Sequence, residues 1–344
     1  MTPGTVHSTP YVRDPASFRG RVEMRPYESV ALKGNAPGDP HVREVPVYLP
    51  PAALEGERLP VVFLLAAFTS RPQSWLETHP WKSGVVQAVD RAMAAGEMPP
   101  AILVMPDAFT HLGGSQYVNS EALGRYEDYV ALELVEWVDA TYPTRAGRRA
   151  LMGKSSGGFG ALHLGMRHPD TFGVVASISG DCHFEYGYAG DFLCALRGLE
   201  AHAGDPRAFL EAFQRTHDLS GDGHAVLSLL GMSACYSPNP ASPLGFDLPI
   251  DLRTGARIPE VWERWLAFDP VVACSEYADA LRSLDLLYLE AGTRDEFHLQ
   301  FSLRVLVRRL QELGIPYVHE EFEGGHFALN ERIPALLPRV IEAL

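Results

Sequence analysis

Five short runs in this 344-residue chain are apolar at nearly every position: PVVFLLA (60–66), PAILVMPD (100–107), RRALMG (148–153), GVVASISG (173–180) and LDLLYLEAG (284–292). A strand with one face in water alternates apolar and polar residues. Runs that do not alternate belong to strands covered on both faces, which is the condition of a parallel sheet. The intervening segments carry the complementary pattern. SGVVQAVDRAMAAG (83–96) reads as a helix ended by Gly96. YEDYVALELVEWVDATY (126–142) places Val130, Leu134, Trp137, Val138 and Thr141 on one face, with Glu127 and Asp128 in the first turn and Pro143 beyond the end. GGFGALHLGMRHP (157–169) and EFHLQFSLRVLVRRLQELG (296–314) are further helices, PYVHEEF (316–322) is a last strand, and a helix from about 329 ends the chain. Strand–helix alternation of this kind predicts an α/β fold, a mostly parallel central sheet with helices on both faces.

Two segments depart from that rhythm. RVEMRPYESVAL (21–32) and HVREVPVYL (41–49) are extended runs with partial alternation, suited to a sheet edge. About a hundred residues, 181–283, contain no evident sheet strand but do contain helical patterns (DPRAFLEAFQRTH, PEVWERWLAF) and a Pro-rich turn, SPNPASPLGFDLP. The sheet resumes afterwards, so this segment is expected to be a helical cap inserted into one domain spanning 18–344. Residues 1–17, with three prolines and few large apolar side chains, are expected to be a loose arm.

The junction between the 148–153 strand and the helix after it reads GKSSGG. Gly153-Lys154-Ser155-Ser156-Gly157 fits G-x-S-x-G centred on Ser155, in the strand–turn–helix context of a nucleophile elbow. Small residues two positions either side let strand and helix approach, and the hydroxyl projects at the C-terminal edge of the sheet. A register centred on Ser156 would need glycine at Lys154. Ser156 is therefore expected to offer only its backbone N–H to an oxyanion.

A serine hydroxyl needs a base, and the base an orienting acid; on this fold the chain order is Ser, acid, His. Asp295 and Glu296 follow the 284–292 strand. Asp295 is the shorter and nearer the strand end and is preferred; Asp181, after the 173–180 strand, is a third candidate. His326, in EEFEGGHFALN after the last strand, is the expected base. His163, His168, His298 and His319 fall inside helices or a strand, while His183 and His224 lie in or near the cap. The loop after the 60–66 strand, AAFTSRPQSW, offers the N–H of Phe68 or a neighbour as the second oxyanion donor. Trp75, Gln116 and Tyr117, in loops beyond strands at the same edge, are expected to line the substrate pocket.

With these residues in place the chain resembles the esterase family of α/β-hydrolases, which takes in esterase D (S-formylglutathione hydrolase), enterochelin esterase-like proteins, feruloyl esterases and mycobacterial mycolyltransferases. The resemblance runs from about 60 to 344 and is carried by VMPDAFTHLGGSQYVNS, YEDYVALELVEWVDATYPT, GKSSGGFGALHLGMRHPDTFGVVASISG, AGTRDEF and GGHF. It implies the α/β-hydrolase fold, with Ser155 as nucleophile, Asp295 as acid, His326 as base and Phe68 at the oxyanion donor position. Ser156 stands where many members have methionine, and the 181–283 insert is longer than in small members, so the resemblance carries chemistry rather than substrate.

The sequence therefore predicts a serine carboxylester hydrolase working through an acyl-enzyme, with no metal or organic cofactor and a small-molecule ester as substrate. Acyl transfer to an alcohol or sugar, and a non-catalytic binding protein on the same fold, are the alternatives. A formal net charge of −14 argues against nucleic acid as partner. No apolar run reaches the ~20 residues of a membrane helix, and the first twenty residues lack the pattern of a secretory signal. The four cysteines form no CxxC pair and read as small buried hydrophobes. A reduced, cytoplasmic setting fits these features, and a homo-oligomer is compatible with all of them.

Overall fold

The continuous apolar runs do become the middle of a sheet. The computed structural model describes residues 18–77 and 83–344; the expected arm at 1–17 lies outside the described residues. Eight strands form one sheet: β1 (Arg21–Glu28), β2 (Val42–Leu49), β3 (Leu59–Leu65), β4 (Ile102–Val104), β5 (Thr144–Lys154), β6 (Val174–Ile178), β7 (Leu286–Gly292) and β8 (Val318–Phe322). Their spatial order is β1-β2-β4-β3-β5-β6-β7-β8. The two partly alternating runs are the antiparallel pair at one edge, and every pairing from β4 to β8 is parallel. β4 is shorter than the apolar run that predicts it, because prolines at 99, 100 and 106 bracket it and cannot donate to a ladder.

Each central strand feeds two cores, because successive side chains leave opposite faces. Val61, Phe63 and Leu65 of β3 enter one core, Val62 and Leu64 the other. The second core is closed by α1 (Val85–Ala94) and, at the end of the chain, by α9 (Arg332–Glu342). On the first face lie α2 (Leu134–Thr141), α3 (Ser156–Arg167) and α8 (Leu299–Glu312). The 126–142 helix is not regular. A π-helical turn over Tyr129–Glu133 precedes α2, with the Leu134 N–H donating to Tyr129 O. That extra residue rotates the buried face, so Tyr129, Val130 and Ala131 are all buried. Thr141, expected on the apolar face, is exposed and donates to Trp137 O at 2.6 Å.

Between β6 and β7 the described chain adds no strand to the sheet. It forms α4 (Phe192–Glu200), α5 (Pro206–Thr216), α6 (Gly223–Tyr236) and α7 (Pro259–Leu266), joined by shorter turns. Their apolar side chains, among them Leu230, Tyr236, Trp262 and Trp265, belong to the same core as Phe63 and Phe159. Cys182, Cys235 and Cys274 are buried free thiols and Cys194 is partly exposed. No helix among the described residues is long and apolar enough to cross a membrane.

Register decides what meets at the functional end. Leu65 of β3 pairs with Gly153 of β5, Lys154 with Ile178 of β6, Ile178 with Glu290 of β7, and Gly292 with Phe322 of β8. Five neighbouring parallel strands thus end along one line, where ligands gather in open α/β sheets.

One ion pair ties the far end of that line together. Arg332, at the start of α9, donates from Nε and Nη2 to both oxygens of the fully buried Glu290, at 2.8 Å each. Removing one partner of such a pair strands a buried charge, although here the Tyr288 hydroxyl still donates to Glu290 Oε2. Arg332→Ala is expected to lower stability by about 3 kcal/mol in urea unfolding. A loss below ~1 kcal/mol would mean that Glu290 is satisfied without it.

Candidate active site

Ser155 stands between the last residue of β5 and the first of α3, with φ 54° and ψ −127°. For a residue with a Cβ this region is costly by about 1–3 kcal/mol and persists only where its surroundings hold it. The Ser155 N–H donates to Ile178 O at 3.0 Å and the Ser155 carbonyl accepts from the Phe159 N–H at 2.9 Å. The flanking glycines are demanded by contact. A Cβ on Gly153 would lie 2.2 Å from Gly157 O, and one on Gly157 would lie 2.0 Å from Leu65 O. Helix α3 is seated directly on the backbone of β3 and β5.

Asp295 follows β7 and is buried; His326 follows β8. His326 Nδ1 lies 2.8 Å from Asp295 Oδ2, and Asp295 Oδ1 accepts the Phe297 N–H at 3.0 Å. Glu296, the alternative acid, instead accepts the backbone N–H of His326 at 2.5 Å, and Gly325 leaves room for it, since a Cβ there would meet Glu296 Oε1 at 2.6 Å. Both carboxylates therefore hold His326, Asp295 by the ring and Glu296 by the main chain. Asp181, the third candidate, does not touch His326; its Oδ2 accepts from Ser156 Oγ at 3.2 Å.

Phe68 lies just past β3. Its loop is fixed by Thr69 N–H donating to Gly113 O at 2.8 Å and by Arg71 Nη2 donating to the buried Asp107 at 2.8 Å. Neither the Phe68 N–H nor the Ser156 N–H donates to another described residue. The second follows from its place in the first turn of a helix, where N–H groups lack intrahelical partners.

These residues border one cavity of about 250 Å³, lined by Phe68, Ser155, Ser156, Asp181, His326 and residues of the insert. Ser155 and His326 make no direct hydrogen bond, and Nε2 of His326 has no partner among the described residues; such contacts commonly tighten only with substrate in place. The mouth is aromatic. The Phe297 ring meets His326 edge-on at 4.7 Å, Phe327 is 80% exposed beside them, and His224 of α6 packs on Phe68 at 6.0 Å and Phe297 at 6.1 Å. His224 is the cap histidine that reaches the site. His183, in contrast, has its backbone N–H on Asp269, and its ring lies 4.2 Å from that of Tyr186.

The three residues expected to line the pocket do not. Trp75 is wholly buried in the core beneath α1, with the Lys154 ammonium 5.5 Å above its ring. Tyr117 is buried, its hydroxyl donating to Ala66 O at 2.8 Å and its ring filling the space at Gly160. Gln116 is buried one layer behind the wall, its amide on Asp181, Tyr188 and Tyr236. Loop position told that these residues were near the edge, but not which way each side chain would turn. Sequence reading missed Tyr188, Asp191, Met232, Phe297 and Phe327 as lining residues. Only Phe327 and Phe297, each next to a catalytic candidate motif, left a signal that could have found them.

Burial raises the Asp295 carboxyl, but its hydrogen bond to His326 and that ring's charge outweigh burial and leave it below the usual value. Asp181 stays raised, because burial outweighs the bonds from Tyr188, Gln116 and Ser156. Burial lowers His224, against the pull of Asp191, and lowers Lys154, against that of Glu77. Behind α3, the Glu127 carboxylate accepts from His163 Nε2 at 2.9 Å and from His168 Nε2 at 3.0 Å. Burial raises Glu127, but the two imidazole bonds hold it far below its usual 4.5.

The family model described as "Putative esterase" matches residues 40–329. The chain belongs to this esterase family. It is similar to the MPT51/MPB51 antigen of Mycobacterium bovis, 37% identical over 68 residues, which is 19% of this chain and 23% of the antigen; the match thus spans about a quarter of that relative's length. Among solved structures, a ferulic acid esterase superposes with TM-score 0.62 at 21% identity, covering 95% of this chain and 100% of its own. An S-formylglutathione hydrolase from Agrobacterium tumefaciens superposes with TM-score 0.57 at 17% identity, covering 95% and 97%. At these identities the likeness is one of fold, and it establishes the α/β-hydrolase fold of the family for this chain.

Two outcomes follow from the packing around α3. Gly157→Ala forces backbone apart and is expected to cost roughly 3 kcal/mol or more in thermal or urea unfolding, whereas Gly190→Ala, at a site open for a Cβ, stays within about 0.5 kcal/mol. Equal effects would refute the close-contact account. Glu127, lowered on folding, stabilises above its unfolded value and loses that contribution as pH falls through the folded one. The stability gap between wild type and Glu127→Gln should thus be widest at neutral pH and narrow steadily below about pH 4.5. A gap independent of pH would exclude the imidazole bonds as its source.

Proposed function

We propose that this chain is a serine carboxylester hydrolase. The observation that carries the reading is the His326–Asp295 hydrogen bond at 2.8 Å on the sheet edge where Ser155 is held at positive φ. Ser155 Oγ attacks the ester carbonyl and His326 Nε2 takes its proton. Asp295 fixes the tautomer by accepting from Nδ1 and stabilises the imidazolium that forms. The carbonyl oxygen, now negative, lies against the unpartnered N–H groups of Phe68 and Ser156. His326 then protonates the leaving alkoxide, an acyl-enzyme remains on Ser155, and water activated by His326 releases the acid.

The names of the two structural neighbours specify an aromatic acid ester and a thioester, and the aromatic mouth formed by Phe68, Phe297 and Phe327 suits an apolar or aryl group. Acyl transfer uses the same steps with an alcohol in place of water, so hydrolysis measured beside a competing alcohol separates the two. With p-nitrophenyl esters, burst kinetics are expected, and Ser155→Ala should reduce kcat by roughly 10⁴-fold or more. Ser156→Ala keeps the backbone N–H and should cost less than about tenfold, since one oxyanion donor is worth ~10²–10³. Wild-type rates in Ser155→Ala would reject the assignment.

A further inference from the structure

Asp181 is placed as no element of the mechanism requires. It follows β6, is 9% exposed, and lines the cavity beside Ser155 and Ser156. Three donors converge on a single one of its oxygens: Tyr188 Oη at 2.9 Å, Gln116 Nε2 at 3.1 Å and Ser156 Oγ at 3.2 Å, all to Oδ2. The other oxygen, Oδ1, accepts from no described residue. Nor is it sealed in, as the partnerless Gln116 Oε1 is; Oδ1 is open to the cavity. Burying a carboxylate with half its hydrogen-bonding capacity unused is costly unless something else fills it. Gln116, Tyr188 and Tyr236 are each almost wholly buried and bonded to one another, so the carboxylate is held rigidly in the cavity wall from behind.

We propose that Asp181 Oδ1 is a specificity-determining acceptor, selecting esters that carry a hydroxyl or ammonium hydrogen on the part of the substrate that lies against Asp181. The inference rests on the esterase reading. A charged acceptor in a shielded pocket discriminates against a methyl group in place of the donor, because the methyl leaves the carboxylate desolvated and unpaired. The same three donors make a sharp test available. In Asp181→Asn they retain the amide oxygen, which turns the NH₂ to the cavity and converts an acceptor into a donor at nearly constant shape.

The test compares isosteric pairs by kcat/KM. On the acyl side, p-nitrophenyl 3-hydroxybutyrate and its 3-ammonio analogue are set against p-nitrophenyl 3-methylbutanoate. On the alcohol side, 2-hydroxypropyl acetate is set against 2-methylpropyl acetate. Wild type is expected to prefer the donor-bearing ester by tenfold or more in one arm, which also tells whether the acyl or the alcohol part lies against Asp181. In Asp181→Asn that ratio should fall by about tenfold or invert. A wild-type ratio near one in both arms overturns the proposal without any variant, and so does a ratio within twofold of wild type in folded Asp181→Asn. Labelling of Ser155 by a fluorophosphonate separates the two readings. Labelled enzyme that cleaves the methyl esters as well as the hydroxyl esters retains the esterase reading and loses this one; absence of both labelling and cleavage loses both.

Discussion

The contact between the backbone of α3 and the backbones of β3 and β5 is the constraint on which the site depends. With no side chain at Gly153 or Gly157, the helix begins within touching distance of Leu65 O, and the chain can turn from strand to helix only through the strained Ser155. That strain puts the hydroxyl above the sheet edge and leaves the Ser156 N–H unpaired in the first helical turn. A looser junction would relax φ at Ser155 and displace both groups together.

The other catalytic candidates reach the same place through strand register. Parallel pairing from β3 to β8 aligns the strand ends, so Phe68, Ser155, Asp181, Asp295 and His326 each follow a neighbouring strand. Hydrogen bonds then refine what register brings near. Glu296 grips the main chain at His326 while Asp295 grips the ring, and the Arg332–Glu290 pair fastens β7 to the helix that follows the histidine loop. The inserted helices close the cavity from the other side and supply His224, Tyr188 and Asp191.

Much of this was legible in the chain because it depends on local rules. Unbroken apolar runs announced doubly covered strands, and the G-x-S-x-G junction between strand and helix announced the turn. The order Ser155, Asp295, His326 matched the strand ends. The failures concern where a side chain turns, not which edge its residue lies on. Trp75, Gln116 and Tyr117 sit in loops at the correct edge, yet Trp75 turned into the core beneath α1, Tyr117 onto Gly160 of α3 and Gln116 onto Tyr188 and Tyr236 of the insert. Thr141 is the last residue of α2; its hydroxyl turns back to Trp137 O and the next residue, Tyr142, is the buried one, so the apolar face ends one turn earlier than the spacing suggested.

The sequence by itself determined the strand order's raw material, the identity of the strained serine and the pairing partners available to it, since these follow from residue type and spacing along the chain. Only the tertiary structure decided that Asp295 rather than Glu296 holds the imidazole, and that Asp181 turns to Ser156 and the cavity. It also decided which aromatic side chains form the mouth. Those outcomes depend on distances of a few tenths of an ångström between segments far apart in the chain, and no local pattern encodes them.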